Sequence, residues 1–335
     1  MTTAPAPSRT KSVLGGVGYA LLILVALFVG TLFGWAKRNP LLTPIILNPL
    51  WFLNMDPKPA FGGDHSEVLL ILGCDEDRFY RGVKLHGQNI FNKYARSDMM
   101  LLTRLDFDKN EITGLSIPRD TECKVPGYPK DILRINAYHA RAPKGQENEW
   151  TVKAVNYLIP QVHIDKVVVL DFDAIQKLVD LVGGVSVDVP KRMKYTDKAG
   201  ELYIDLEPGV QKLNGYNAMG FVRYRHDAES DLGRQKRQKD FLMAFKDAVF
   251  HDLPALPEIL TGGQVALNGA LDDKQLEALA SFAHRVPQQN IRMGMVPVTD
   301  GGPGGTLLLD KRALPAALEK YDFVPAGSTG AGQTQ

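Results

Sequence analysis

The chain has 335 residues, 44% of them hydrophobic and 23% charged, with 39 Lys and Arg against 38 Asp and Glu for a formal net charge of +1. That balance excludes a disordered or collagen-like chain, and it excludes bulk binding of nucleic acid, which takes a basic excess to neutralise phosphates. Two cysteines, Cys74 and Cys123, are too few for a disulfide scaffold, and the seven histidines lack the paired spacing of structural zinc.

A short tail, residues 1–11, carries Arg9 and Lys11 and precedes 25 residues, 12–36, without Asp, Glu, Lys or Arg. About 20 apolar residues span a bilayer, and a cleaved signal has a shorter apolar core, so 12–36 is expected to be an uncleaved transmembrane anchor. Lys37 and Arg38 follow it, so flanking charge does not orient the span. Short N-terminal tails usually stay in the cytoplasm, which places the rest of the chain outside it. The next apolar run, 41–53, is short and broken by Pro44 and Pro49. It is expected to lie at the membrane interface or to pack on the domain, within a membrane-proximal linker, 37–65.

From residue 66 the pattern alternates strands and helices. EVLLILG (67–73) reads as a buried strand. MMLLTRLDF (99–107) and EITGLSIP (111–118), separated by Asp108, Lys109 and Asn110, read as an antiparallel hairpin. WTVKAVNYLI (150–159) has helical spacing, KVVVLDF (166–172) reads as a strand, and AIQKLVDLVGG (174–184) as a helix closed by glycine. GVSVDVP alternates as an edge strand ending at Pro190. Strands flanking a helix make a layered α/β fold the economical expectation. A helix over 272–286 and strand-like IRMGMVPV and LLLD follow, and 326–335 is a tail expected to be disordered.

Charge concentrates in two places. In 221–245, Arg223 and Arg225 lie two apart on a strand-like stretch, which aims both at one face. Beyond them, Asp231 or its neighbour caps a helix with Arg234 and Gln238 one turn apart and Arg237 beside them, so several cations converge. Arginine's planar fork binds phosphate oxygens bidentately, which points to a pyrophosphate or polyphosphate. Lys236 and Lys239 fit a solvated face. Elsewhere, Asp75 follows one strand and Asp98 precedes the next, and two such carboxylates with a pyrophosphate between them suit Mg²⁺. Arg119 and Asp120, just past a strand and a proline, read equally as an ion pair.

Taken in order, ILGCD, ARSDMMLLT, LSIPRDT, RINAYH, DFDAIQKLVDLVGGVSVDVP, DLEPGVQKLNGYNAMGFVRYRHD and DLGRQKRQKDF resemble the successive motifs of the LytR-CpsA-Psr family, from about residue 66 to about residue 320. The chain departs from that pattern in a longer stretch over 78–95, and ARAPKGQENEW stands where the family has a Gly-rich segment. The resemblance implies one extracytoplasmic domain, 66–325, of α/β class. It would have three α-β-α layers with a central mixed sheet, held at the cell membrane by a single span. It implies a phosphotransferase that moves a glycopolymer from a polyprenyl-pyrophosphate carrier onto peptidoglycan. Asp75 and Asp98 would then hold Mg²⁺ or Mn²⁺. Arg119, Arg223, Arg225 and Arg234 would grip the pyrophosphate, with Asp231 and Gln238 ordering them. The polyprenyl chain would lie in an apolar tunnel lined by Val169, Phe172, Ile175, Leu178, Phe241 and Phe245. Asp98, Asp75 and, if free of an ion pair, Asp120 remain open as the base. Three other readings stand beside the transferase: a pyrophosphohydrolase, a lipid-linked glycan binder without catalysis, and an envelope regulator. Cys74 and Cys123 are consistent with a disulfide or with two thiols.

Overall fold

A computed structural model of the chain describes residues 55–76, 94–197, 202–224, 230–251, 256–267 and 270–325. The expected anchor at 12–36, the run at 41–53, Arg225 and the tail at 326–335 lie outside these residues, as do the side chains of Asp75, Phe172, Asp231, Arg234 and Gln238. Among the described residues, no helix is long and apolar enough to cross a membrane. The chain divides into units 1–54 and 55–335, and the fold described is that of the second.

After a 3-10 turn at Lys58–Phe61 come strands β1 (Ser66–Glu76), β2 (Tyr94–Asp106) and β3 (Glu111–Ser116). Helices α1 (Ala137–Arg141) and α2 (Glu147–Leu158) lead to β4 (Lys166–Asp171), which passes directly into α3 (Phe172–Leu181). Four short strands follow: β5 (Val185–Val189), β6 (Met193–Asp197), β7 (Leu202–Leu206) and β8 (Gly209–Leu213). Helices α4 (Gly215–Arg223), α5 (Ser230–His251), α6 (Leu256–Ala266) and α7 (Asp273–Arg285) precede β9 (Ile291–Met295). The chain then forms β10 (Val298–Thr299), β11 (Leu308–Leu309) and α8 (Leu314–Lys320).

The central sheet runs β4-β1-β2-β3-β9. β1 pairs antiparallel with β2 and parallel with β4, while β3 pairs antiparallel with β2 and parallel with β9, so the sheet is mixed. Strand periodicity decides its two faces. Leu70, Leu72, Met100 and Leu102 face a core shared with Tyr138 of α1 and Val155 of α2. Leu69 and Leu105 face the other way, against Phe61, Phe107 and Phe282 of α7. There the Phe107 and Phe282 rings meet edge-on at 5.2 Å. Helices therefore cover both faces, and the unbroken apolar runs at the strand centres, residues 68–72, 99–102 and 167–170, are the sequence consequence. The β2–β3 hairpin turns where expected: Asn110 takes φ +50°, and the Lys109 amide donates to Asp106 at 2.9 Å.

GVSVDVP forms β5, an alternating edge strand as expected, and it pairs with β8 in a two-stranded sheet separate from the central one. Its burial alternates, with Val185, Val187 and Val189 buried and Ser186 and Asp188 exposed, whereas a strand joining the doubly covered sheet would bury both faces. The stretch around Arg223 is not a strand. It is the end of α4, started by the Asn214 side chain accepting from the Asn217 amide at 2.9 Å. Ala218, Met219, Phe221 and Val222 are buried along it, and Arg223 is its last residue. The cysteines are settled as well. Both are buried and no disulfide joins them.

Candidate functional site

The β1–β2 ladder breaks its register where the candidate carboxylates lie. Gly73 pairs with Met99 but Cys74 with Ser97, so Asp98 is an extra residue in β2, and a second shift lies between Cys74 and Glu76, around Asp75. A bulge bends the strand and re-aims side chains. Asp75 and Asp98 thus sit on neighbouring strands within one irregular sheet end, inside the strands and not in the loops flanking them. The Asp98 side chain is half-buried.

β3 ends at Ser116, and Pro118 follows two residues on. The Thr121 amide and hydroxyl both return to the Pro118 carbonyl, at 3.0 and 2.7 Å, closing a tight turn that presents Arg119 and Asp120 at its tip. An Arg119 Nη donates to Asp98 Oδ2 at 2.8 Å, and its Nε lies 3.5 Å from Asp120. The other oxygen of Asp120 lies 3.3 Å from Arg134 Nε, and Arg134 in turn donates to the Gly304 carbonyl at 3.1 Å. The result is a row of alternating charge: Asp98, Arg119, Asp120, Arg134. Burial works against the Arg119 charge, but Asp98 and Asp120 outweigh it and raise the group above its ordinary range. Arg119 therefore stays a fixed cation, and its Nε is buried without a hydrogen-bond partner. Asn136, buried just before α1, donates from its side chain to Asp98 Oδ1 at 3.4 Å.

The structure thus joins Asp98 to Arg119, and it adds Arg134 and Asn136. These two lie in RINAYH around the fully buried Ile135, and the signal that could have found them was two polar residues flanking one core residue. Arg223 closes α4, while Asp231, Arg234 and Gln238 fall on α5. Lys236 is exposed, as expected of a solvated position, and Lys239 is half-buried. Arg237 behaves differently from a converging cation. It is 3% exposed, donates to the Tyr224 carbonyl at 2.5 Å and stacks over the Tyr224 ring at 5.6 Å, tying α5 to the chain just past α4.

The expected lipid-lining residues divide between locations. Val169 belongs to the core of the central sheet. Ile175, Phe241 and Phe245 pack in a second core between α3, α5 and the small strands, where the two Phe rings stack at 6.0 Å. Leu178 faces Gly262 of α6.

A family model described as the LytR_cpsA_psr family matches residues 54–313. Among curated proteins, the Bacillus subtilis (strain 168) polyisoprenyl-teichoic acid–peptidoglycan teichoic acid transferase TagV is 35% identical over 158 residues, 46% of this chain and 39% of TagV. Regulatory protein MsrR of Staphylococcus aureus (strain Mu50) is 28% identical over 58% of this chain and 54% of MsrR. The chain thus spans about half or less of the length of these curated relatives. Among solved structures, B. subtilis TagV superposes with a TM-score of 0.57 at 25% identity, over 78% of this chain and 98% of that one. An Actinomyces oris LytR-Csp2A-Psr enzyme superposes with 0.55 at 19% identity, over 77% and 90%, a likeness of fold.

Proposed function

The chain belongs to the LytR-CpsA-Psr family, and on that premise we propose that it is a membrane-anchored cell-wall transferase that moves a glycopolymer from a polyprenyl-pyrophosphate carrier to peptidoglycan. The observation that carries this reading is the bulged end of β2, where Asp98 is fixed by Arg119 from the turn after β3. That pair lies in two motifs of the family, ARSD and SIPRDT. TagV, named as a teichoic acid transferase acting on peptidoglycan, gives the substrate class by analogy.

Phosphoryl transfer asks for charge stabilisation and alignment more than for a covalent intermediate. A peptidoglycan hydroxyl oxygen attacks the phosphorus that bears the glycan. The bond between that phosphorus and the bridging oxygen breaks, polyprenyl phosphate leaves, and a phosphodiester forms. Arg119, already a fixed cation, meets the charge that grows on the phosphate oxygens, and Arg223, Arg225 and Arg234 are assigned the same task. The hydroxyl proton passes to a carboxylate, with Asp98 and Asp75 the candidates, since Asp120 is held in ion pairs by Arg119 and Arg134.

The donor set fits a divalent cation. Mg²⁺ is ordinarily held by one or two carboxylates together with substrate phosphates, and Asp98 and Asp75 share the bulged strand end. Mg²⁺ or Mn²⁺ would neutralise the pyrophosphate oxygens.

The test is a transfer assay with a polyprenyl-pyrophosphate glycan, with and without peptidoglycan. Polyprenyl phosphate released together with peptidoglycan-linked glycan is the expected outcome. Release at the same rate without acceptor would make the protein a hydrolase, and no release with retained binding would make it a glycan binder.

A further inference from the structure

Asn136 occupies the position where a short polar residue normally caps a helix, and Asn is among the preferred residues there. It does not cap α1. Its backbone is helical, with φ −66° and ψ −16°, and its side chain makes no bond to the first turn. Instead the side chain reaches Asp98, 38 residues away, while its own amide donates to the Arg119 carbonyl at 3.4 Å. One residue therefore touches both members of the Asp98–Arg119 pair, at 4% exposure. A capping residue spent in this way, inside the core and on a carboxylate at a bulge, needs a reason.

We propose that Asn136 is a positioning residue for the metal-holding carboxylate. Arg119 fixes Oδ2 of Asp98 and Asn136 fixes Oδ1, so the carboxylate is held in one orientation from both ends. A neutral amide suits the second hold. Another cation would cancel the charge that attracts Mg²⁺, and another carboxylate would repel Asp98. At 3.4 Å the bond is long, so it contributes orientation more than energy. The inference rests on the metal role given to Asp98 above.

Mn²⁺ bound to the full-length protein, measured by electron paramagnetic resonance alone and with inorganic pyrophosphate, provides the readout. Partners that orient metal ligands typically contribute about 10- to 100-fold in affinity. Asn136→Ala is expected to weaken Mn²⁺ by roughly that factor and to raise the metal concentration needed for half-maximal transfer equally, with the rate at saturating metal largely retained. Asn136→Leu fills the same space without a donor. It is expected to show the same loss, and it carries the test if the alanine variant does not fold. Wild-type Mn²⁺ affinity in a folded Asn136→Ala or Asn136→Leu protein would overturn the inference alone. Failure of the wild-type protein itself to bind Mn²⁺ would overturn the metal reading and the inference with it.

Discussion

At the scale of single residues, charge is placed by what surrounds it. Arg119 keeps its proton because two carboxylates outweigh its burial, but charge alone does not define its work. Arg119→Lys preserves the charge and loses the planar fork, so transfer should fall roughly 10- to 100-fold, the worth of one hydrogen bond to a charged group, with an unchanged circular dichroism spectrum. A near-normal rate would remove Arg119 from the site. Glu67 shows the opposite logic at the far end of β1. Burial, then Asp165 beside it, pushes its carboxyl from an ordinary 4.5 up to about 7. Between those values the folded protein keeps a proton that the unfolded chain releases, so stability falls as pH rises through this window and levels off above it. Glu67→Gln removes the effect. It should raise the unfolding free energy at pH 8 by an amount on the order of 1–3 kcal/mol and change it little at pH 5, measured by denaturant unfolding, and equal differences at both pH values would contradict this. Cys123 follows the same rule, its thiol pushed up to about 12 by burial. Ellman's reagent should find no reactive thiol in the native protein and two after unfolding.

At the scale of elements, close approach matters as much as propensity. Gly215 opens α4, and a Cβ there would stand 2.2 Å from the Gln176 carbonyl oxygen of α3, with the Gln176 backbone unable to give way. Gly215→Ala should therefore cost about 1–3 kcal/mol or more in denaturant unfolding. Gly263 in α6 is the control. Its Cβ would meet only Leu276 at 3.6 Å, and alanine there should be neutral or stabilising by about 0.5–1 kcal/mol. The same contrast separates what the sequence made legible from what it did not. β1, the β2–β3 hairpin, β4, α3 and α7 announce themselves through apolar runs, the Asp-Lys-Asn turn, paired glycines with positive φ at Gly183 and Gly184, and the Asp272 capping box. α4 does not, because Val222 to Arg225 alternates apolar and charged for only four residues, too few to tell a period of 2 from one of 3.6. β5 was legible as a strand, while its partner β8, mostly exposed, gave no apolar pattern to match it. In the site, Asp98 and Arg119 were legible from strand ends and motif. The role of Asn136 was not, since by sequence it is an ordinary helix-starting residue whose partner is fixed only by the fold.

At the scale of the molecule, the proposed function asks two features to act together: a compact unit that begins at Met55 and the uncharged stretch at 12–36 that precedes it. The compact unit starts firmly. Arg285 and Ser281 of α7 both donate to the Met55 carbonyl, at 2.7 and 3.3 Å, and Phe61 is buried in the core of the sheet's second face. Net charge gives the protein little hold on a membrane, because 39 basic residues stand against 38 acidic ones and exposed charges are screened beyond about 8 Å at physiological salt. Retention should then depend on the apolar stretch alone. The full-length protein is expected in the membrane fraction after washing with high salt or carbonate, and a version starting at Met55 in the soluble fraction with the same melting temperature. Under the proposed function, protease added to spheroplasts should degrade the 55–335 unit, since the proposed polyprenyl-linked donor and peptidoglycan acceptor would meet on the outer face. Full-length protein in the soluble fraction, or a unit protected from outside protease, would place the domain where that acceptor does not occur and would exclude the transferase reading for geometric reasons alone.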